Sequence, residues 1–563
     1  MANHISVNEY YITIAADGND AGLLALMPTV PLFSMRKRGV YRCSLKYLPE
    51  VLQILRGISS TDQLRGTVKK LYDEELRRRY YTPLLKKDGP NHTSDFLWPQ
   101  QQLGVELAEV NRRYGFFYDT RTGKTPMSLQ IMYNALKAGK AKRCIVVCPS
   151  SIIEAWLEDA AKFFPQLKVA AYYGTEKQKD KALSMPSHIV VWSMEQFVDC
   201  FDWLSQIHFD MCFVDESSKL KSHRTKISNA MRKFSLMVSS WYLLSATPAP
   251  NNHSEYYTQM MTIDPYIFNP ARTKFVSKYF DNMSRNYSYE KLTIKPNMYD
   301  IFMQQIEERA IYVDQSVMPT AGKEWKVVTY ELPAYAKDVY NEMRTKMWTE
   351  VIGKEITVDM AAIMRAKLNQ ITSGFIMDTE AIKENKLCRK LGKPATQQEV
   401  LPLIDNGDYS RIAQLDKLLK KLGDQKIVIW ANYAEEFRMI EKLLGDKARY
   451  IRGGCTVDEK EQYISEFKGG PLQYLVCHPA SLGYGRNLTE AHIAIYYSLN
   501  DSWELFKQSS ERIVGHIKVQ PHKCIYYVLL AADTVNELIY DNLTNKRDAS
   551  FAFMDHLRAE ALR

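Results

Sequence analysis

Short apolar runs recur along this chain at intervals too long for hairpins. Gly115-Phe-Phe-Tyr118, Cys144-Ile-Val-Val-Cys148, Ile189-Val-Val-Trp192, Met211-Cys-Phe-Val214 and Trp241-Tyr-Leu-Leu244 are nearly continuous in hydrophobicity, and longer helix-like stretches separate them. Strands without polar alternation are buried on both faces, and alternation with helices points to a parallel sheet. A second series follows: Lys426-Ile-Val-Ile-Trp430, Tyr474-Leu-Val-Cys477, Ile493-Ala-Ile-Tyr496 and Ile525-Tyr-Tyr-Val-Leu529. The stretches of about 253–322 and 331–410 look mainly helical and read as insertions. The pattern predicts an α/β chain with two parallel-sheet domains in tandem, over 96–325 and 326–545.

The ends differ. His4 to Ile14 has β-rich composition, Leu23 to Pro28 suits a short helix, Arg36 to Leu45 a strand and Leu48 to Leu55 another helix. Residues 1–58 therefore read as a small α+β domain, 59–95 as a charged helical linker ending in the loop Lys87-Asp-Gly-Pro90, and 546–563 as a C-terminal helix. Within the linker, Leu76-Arg-Arg-Arg-Tyr-Tyr81 mixes cations with aromatics. Such a segment stacks nucleobases, or it is an amphipathic helix with buried tyrosines; the sequence leaves both open.

Composition narrows the class. A length of 563 residues allows three or four domains, and 46% hydrophobic residues is ample for several cores. The net charge of +9 fits a polyanionic partner, although such a balance is also common on solvated surfaces. Nine cysteines without a paired CxxC pattern argue for a reducing compartment and against structural zinc, with Cys144 and Cys148 as core residues. No signal-peptide pattern and no membrane-spanning run is seen, so a soluble intracellular protein is expected.

Candidate chemistry begins at Thr122-Gly-Lys-Thr125, between an apolar strand and a helical run near Met127. A strand, a tight loop and a helix N-terminus present backbone N–H groups to phosphate oxygens. Lys124 would neutralise β- and γ-phosphates, and Thr125 would hold Mg²⁺. The fit to GxxxxGK[ST] is incomplete, because Tyr118 takes the first glycine position. About ninety residues later, Val214 leads into Asp215 and Glu216. Asp215 would hold the ion through water and Glu216 would polarise the attacking water. A solvated acidic pair at a strand end is the bland alternative, but Ser245-Ala-Thr-Pro248 after the next strand completes an order that rarely arises by chance.

These elements resemble the Swi/Snf-type family of superfamily-two helicases and translocases over about residues 96–545. Leu97-Trp-Pro-Gln-Gln-Gln-Leu-Gly104 resembles its adenine-reading segment, implying Gln101 as the base contact. Cys148-Pro-Ser-Ser-Ile-Ile-Glu-Ala-Trp156 resembles a motif beside the nucleic-acid track, implying Pro149 and Ser150 there. Asp215-Glu-Ser-Ser-Lys-Leu-Lys221 resembles the DExH element with Ser218 in place of histidine, and Lys219, Lys221, Arg224 and Lys226 form a basic stretch for a phosphate backbone or a solvated face. Ser245-Ala-Thr-Pro-Ala-Pro-Asn251 resembles the coupling motif, implying Ser245 and Thr247 as couplers and Asn251 on the nucleic acid. In the second half, Lys426 to Asn432 and Ile451-Arg-Gly-Gly454 match the opening of the second motor domain. Gly483-Tyr-Gly-Arg-Asn-Leu488 matches an element touching nucleotide and nucleic acid, implying Gly485 and Asn487, and Gln508 and Arg512 fit the last motif.

The resemblance implies two tandem RecA-like domains, ATP and Mg²⁺ as cofactors, and an ATP site built from Gln101, Arg121, Thr122, Gly123, Lys124, Thr125, Gly485, Gln508 and Arg512. It implies a monomeric motor on double-stranded or branched DNA in replication, recombination or repair. RNA or an RNA–DNA hybrid is the alternative substrate. One departure stands out: the family's second arginine falls on Gly515, and its Gly-Gln pair on Ile517-Lys518. Loss of such an arginine costs about 10³–10⁵ in rate in NTPases. Arg512 alone, another cation such as Arg486, Lys518 or Arg121, or slow turnover would answer it, the last giving a nucleotide-gated DNA-binding protein. The opening unit resembles the substrate-recognition domain of HARP-type annealing helicases in spacing and pattern, implying Arg36, Lys37, Arg38 and Arg42 as phosphate contacts; a plain structural cap is the other reading. The compact length implies a bacterial or phage-type enzyme, acting in the bacterial or phage-infected cytoplasm.

Overall fold

The computed structural model describes residues 4–544 apart from 17–20, 36–38, 58–63, 65, 173–185, 251, 283–291, 347, 352–353, 358–360, 379–381, 383–384, 386–398, 404–410, 483–485 and 518. Arg36, Lys37, Arg38, Asn251, Gly485 and Lys518, and the expected helix over 546–563, lie outside the described residues. The chain forms two compact units that divide between Val317 and Met318.

The first unit opens on strands β1 (His4–Val7), β2 (Tyr11–Ala15), β3 (Phe33–Ser34) and β4 (Val40–Ser44), antiparallel in the order β1-β2-β4-β3. The β-rich stretch from His4 is thus two strands. The Asn8 side-chain oxygen accepts N–H bonds from Tyr10 at 2.9 Å and Tyr11 at 2.8 Å and closes the turn between them. Ile12, Ile14 and Cys43 pack with Val51 and Leu52 of helix Leu48–Arg56 and with Leu71 and Tyr72 of the long helix Gly66–Asp88.

That opening unit is bonded to the sheet domain behind it. Asp264 accepts from the Ser44 hydroxyl, from Tyr266 N at 3.0 Å and from Arg309 at 3.4 Å. Lys46 pairs with Glu308 at 2.5 Å, and the Lys86 ammonium donates to the Glu307 and Ala310 carbonyls. Arg42 bonds Tyr266 at 3.2 Å and lies 4.5 Å over the Tyr11 ring. Arg42, expected as a phosphate contact, is half-buried and here bonds the sheet domain through one guanidinium nitrogen.

The main sheet comprises β5 (Arg113–Tyr118), β6 (Cys144–Cys148), β7 (Val169–Tyr172), β8 (Ile189–Ser193), β9 (Met211–Val214), β10 (Ser240–Leu244) and, after the hairpin β11 (Phe280–Asn282)/β12 (Leu292–Ile294), β13 (Ala310–Val313). Its order is β13-β5-β10-β9-β6-β8-β7, parallel throughout. The interval expected as a mainly helical insertion also supplies this sheet's edge strand, β13.

The second unit has β14 (Lys323–Tyr330), the antiparallel pairs β15 (Trp348–Val351)/β16 (Lys354–Thr357) and β17 (Phe375–Met377)/β18 (Val400–Pro402), then β19 (Ile427–Trp430), β20 (Ala448–Ile451), β21 (Tyr474–Cys477), β22 (Ile493–Tyr496) and β23 (Cys524–Ala531). Six of these form a parallel sheet in the order β14-β23-β22-β19-β21-β20. A boundary at 325/326 would cut β14, which pairs with β23 along its whole length. Val428 and Trp430 pack into one core and Ile427 and Ile429 into another, so both faces of β19 are covered. Among the described residues no helix is long and apolar enough to cross a membrane.

Candidate nucleotide site

Three neighbouring strands, β5, β10 and β9, end on the same edge of the first sheet. Their C-terminal ends lead into residues 119–125, 245–248 and 215–216 respectively. In open parallel sheets this edge is where ligands bind. Motifs spread over 119–248 of the sequence thus become a single local cluster.

The loop after β5 turns sharply. Arg121 has φ 64° and Gly123 φ 83°, both left-handed. A Cβ on Gly123 would lie 1.6 Å from Gln101 Nε2, so glycine is required there by space as well as by φ. Thr122 is fully buried and its hydroxyl donates to Asp119 O at 2.6 Å. Helix Lys124–Lys137 then starts on Gly123 with no side-chain cap, leaving its first N–H groups for another acceptor. The Lys124 ammonium donates back to Tyr118 O at 2.9 Å and Asp119 O at 3.2 Å, and Thr125 sits half-buried in the first turn. Arg121 is half-buried on the loop.

Gln101 lies beneath this loop. Its oxygen accepts Trp98 N–H at 2.9 Å and its amide nitrogen donates to Thr122 O and Gly123 O at 3.4 Å. Reading adenine would require exchanging those contacts.

Asp215 and Glu216 are both buried. One Asp215 oxygen accepts the Trp156 indole N–H at 3.0 Å and the other the Glu216 N–H at 2.9 Å. Burial pushes the Asp215 carboxyl above its ordinary range, opposed by the Lys124 charge, the Trp156 indole and the Glu216 N–H. Glu216 is held at φ 52°, a left-handed backbone that costs a non-glycine residue about 1–3 kcal/mol and concentrates at functional sites.

On the β10 edge, Ser245 and Thr247 are buried and Thr247 N donates to Ser245 Oγ at 3.1 Å. Among the described residues, the hydroxyls of Thr120, Ser218 and Thr247 are buried without a hydrogen-bond partner. Uncapped N–H groups, an ammonium, two carboxylates and orphaned hydroxyls on one edge suit a magnesium–triphosphate group, which offers oxygens to donors and a cation to carboxylates.

Sequence reasoning passed over Gln259. Fully buried in helix Tyr256–Ile263, it accepts the Ser217 hydroxyl at 2.9 Å and donates to Pro248 O at 2.6 Å and Glu255 O at 3.1 Å. It therefore joins the Asp-Glu element to the Ser-Ala-Thr-Pro turn. The role of Trp156 was likewise unread. A lone glutamine within Tyr256 to Ile263 is visible in the sequence, but its partners are not.

The remaining expected contacts of the first unit are spread along it. Pro149 is buried and Ser150 exposed at the start of the short helix Ser150–Ile152. Lys219, Arg224 and Lys226 are exposed and Lys221 half-buried after Glu216.

In the second unit, Arg512 donates to Arg486 O at 3.2 Å and its carbonyl accepts Leu488 N–H at 2.9 Å. Asn487 accepts from Thr489 N at 3.0 Å, Gln508 donates to Glu504 at 3.3 Å, and Arg486 pairs with Glu461 at 2.5 Å. A Cβ on Gly515 would stand 2.8 Å from Thr489 Cγ2 and 2.9 Å from Gln520 Cβ. The position where the family carries its second arginine is thus filled by neighbouring side chains. A separate buried hub, also missed from sequence, ties Arg411 to Tyr330 at 2.7 Å and Ser373 at 2.6 Å, with Glu436 at 3.7 Å.

The SNF2-related domain family matches residues 111–389, and the helicase conserved C-terminal domain matches 410–515. The p41 protein of Acyrthosiphon pisum secondary endosymbiont phage 1 is 22% identical over 477 residues, 80% of this chain and 96% of that protein. Chromodomain-helicase-DNA-binding protein 1-like of Danio rerio is 21% identical over 78% of this chain, and DNA repair and recombination protein RAD54B of Gallus gallus 20% identical over 82%. The chain spans 42% and 54% of those two vertebrate proteins. The Sulfolobus solfataricus SWI2/SNF2 ATPase core in complex with dsDNA aligns over 82% of this chain and 93% of its own, with a TM-score of 0.37 at 18% identity. Motif order, the two parallel sheets and the two matched families place the chain in the Swi/Snf family of superfamily-two helicases, ATP hydrolases built on tandem RecA-like domains.

Proposed function

We propose that this protein is an ATP-dependent DNA translocase that remodels duplex or branched DNA in replication, recombination or repair. The observation that carries the reading is the convergence of Lys124, Asp215-Glu216 and Ser245–Thr247 on the ends of three adjacent parallel strands. Bound ATP with Mg²⁺ supplies the transferable phosphoryl group and a divalent charge. Lys124 neutralises phosphate charge, Thr125 and Asp215 hold the ion, and Glu216 accepts a proton from the attacking water. Gln101, Arg121, Thr122 and Gly123 complete the first unit's nucleotide contacts, and within the second unit Gly485, Gln508 and Arg512 are the residues that the family resemblance assigns to nucleotide, Arg512 as the stabilising cation.

Support for DNA comes from the relatives named for DNA binding, repair and recombination. Pro149, Ser150, Lys219, Lys221, Asn251 and Asn487 are the proposed backbone contacts, read without a base code. The opening unit adds recognition of branched DNA through Arg36, Lys37 and Arg38.

Steady-state phosphate release with Mg²⁺-ATP, alone and with single-stranded, duplex and forked DNA or RNA, tests this beside Lys124→Ala. Stimulation by duplex or forked DNA that the substitution abolishes is the expected result. Greater stimulation by RNA would transfer the motor to that polymer. The crowding at Gly515 favours one other reading, a nucleotide-gated DNA-binding protein; ATP-dependent DNA affinity without phosphate release would establish it.

A further inference from the structure

The long helix Gly66–Asp88 has an inward face that is fully committed. Arg78 and Arg79 both bond Glu75, Arg79 also bonds Glu50, and Lys86 reaches two backbone carbonyls. These bonds fix the helix's rotation about its axis. They leave Leu76, Tyr80 and Leu84 facing outward, 41%, 65% and 39% exposed. The spacing i, i+4, i+8 makes them one continuous apolar stripe. Single exposed apolar residues need no explanation, but a stripe centred on a tyrosine does.

Tyr81, 44% exposed, stands edge-on to Tyr80 with ring centroids 5.0 Å apart, and Arg77 lies 5.9 Å from the Tyr81 ring. By helical spacing the exposed Lys69 and Lys87 share the side of Tyr80, against the one carboxylate Asp73. Of the two readings the sequence left open for this segment, buried tyrosines are excluded. An open aromatic face among excess cations is what a nucleobase and its phosphate require together. An apolar protein partner would leave those cations without a role.

The geometry points to this face as a stacking platform for single-stranded nucleic acid, with Tyr80 under a base and Arg77 and Lys87 along the phosphates. It deepens the proposed function, on which it rests for its biological setting: a strand displaced from a fork is the polymer it suits. It takes no part in hydrolysis.

Fluorescence anisotropy of the full chain with labelled oligothymidylate, and with blunt duplex of equal length, tests it. Tyr80→Ala is expected to weaken oligothymidylate binding by about fivefold to a hundredfold, and Tyr80→Phe to leave it intact. Arg77→Ala is expected to flatten the salt dependence on the single strand. Blunt-duplex affinity should stay at the wild-type value in Tyr80→Ala. An unchanged oligothymidylate affinity, or an equal loss on both probes, overturns the platform. Absence of DNA-stimulated phosphate release in the wild type overturns the motor instead, and leaves the anisotropy result standing.

Discussion

Ser217 donates its hydroxyl to the Gln259 side-chain oxygen across 2.9 Å, immediately after the left-handed Glu216. Through its amide nitrogen the same glutamine holds the Pro248 carbonyl. One buried side chain therefore spans the carboxylate element and the Ser-Ala-Thr-Pro turn.

Replacing Gln259 with leucine keeps the volume and removes that span. Nucleotide affinity should persist, while DNA stimulation of phosphate release should fall by about two- to thirtyfold, the range expected for a disrupted coupling network. Stimulation at saturating DNA equal to the wild type would show that Gln259 only fills space.

Gly515 invites an attempt to restore the family's arginine. Gly515→Arg should fail to raise turnover, because the Cβ alone meets Thr489 at 2.8 Å and Gln520 at 2.9 Å. Overpacking of this kind costs about 1–3 kcal/mol, visible as a lower urea midpoint. A variant that hydrolyses ATP faster at unchanged stability would mean that the pocket opens in solution.

Burial lowers the Lys86 ammonium to about 8 from an ordinary 10.5, with Glu307 partly opposing and Arg78 reinforcing the effect. The sign follows from proton counting. Below about pH 8 the folded state carries the full penalty of a buried charge. Between about pH 8 and 10.5 the unfolded chain binds more protons, so stability rises with pH, and above that window the penalty is gone. Urea midpoints at about pH 8 and about pH 10 should therefore diverge between wild type and Lys86→Met, moving in favour of the wild type as pH rises. Parallel curves would place the ammonium in solvent.

Much of this architecture was legible because buried parallel strands write themselves as apolar runs. β6, β8, β9 and β10 coincide with four of those runs, and the phosphate loop follows β5 as its strand–loop–helix context requires. Edge strands were not legible. β14, Lys-Glu-Trp-Lys-Val-Val-Thr-Tyr, has mostly half-exposed or exposed positions and so carries charges that hide its periodicity. β13 was absorbed into a helical neighbourhood because Ala-Ile-Tyr-Val fits either period. The site's charged residues were readable from motif spacing. Their uncharged partners, Trp156 and Gln259, were not, because a polar bond between distant segments leaves no local pattern. The obstruction at Gly515 needed the positions of Thr489 and Gln520, which flank it at a distance along the chain.

Helix Tyr256–Ile263 gives the first unit a mechanical property. Gln259 grips the Ser-Ala-Thr-Pro turn, and Asp264, closing the same helix, grips Ser44 of the opening sheet. Five residue steps separate the two grips, about 7.5 Å of stiff rod. A rod that short has no slack. A displacement of one grip relative to the other strains the buried hydrogen bonds at Gln259 and Asp264. The Ser-Ala-Thr-Pro turn and the opening sheet are thereby held at a fixed spacing by one short helix.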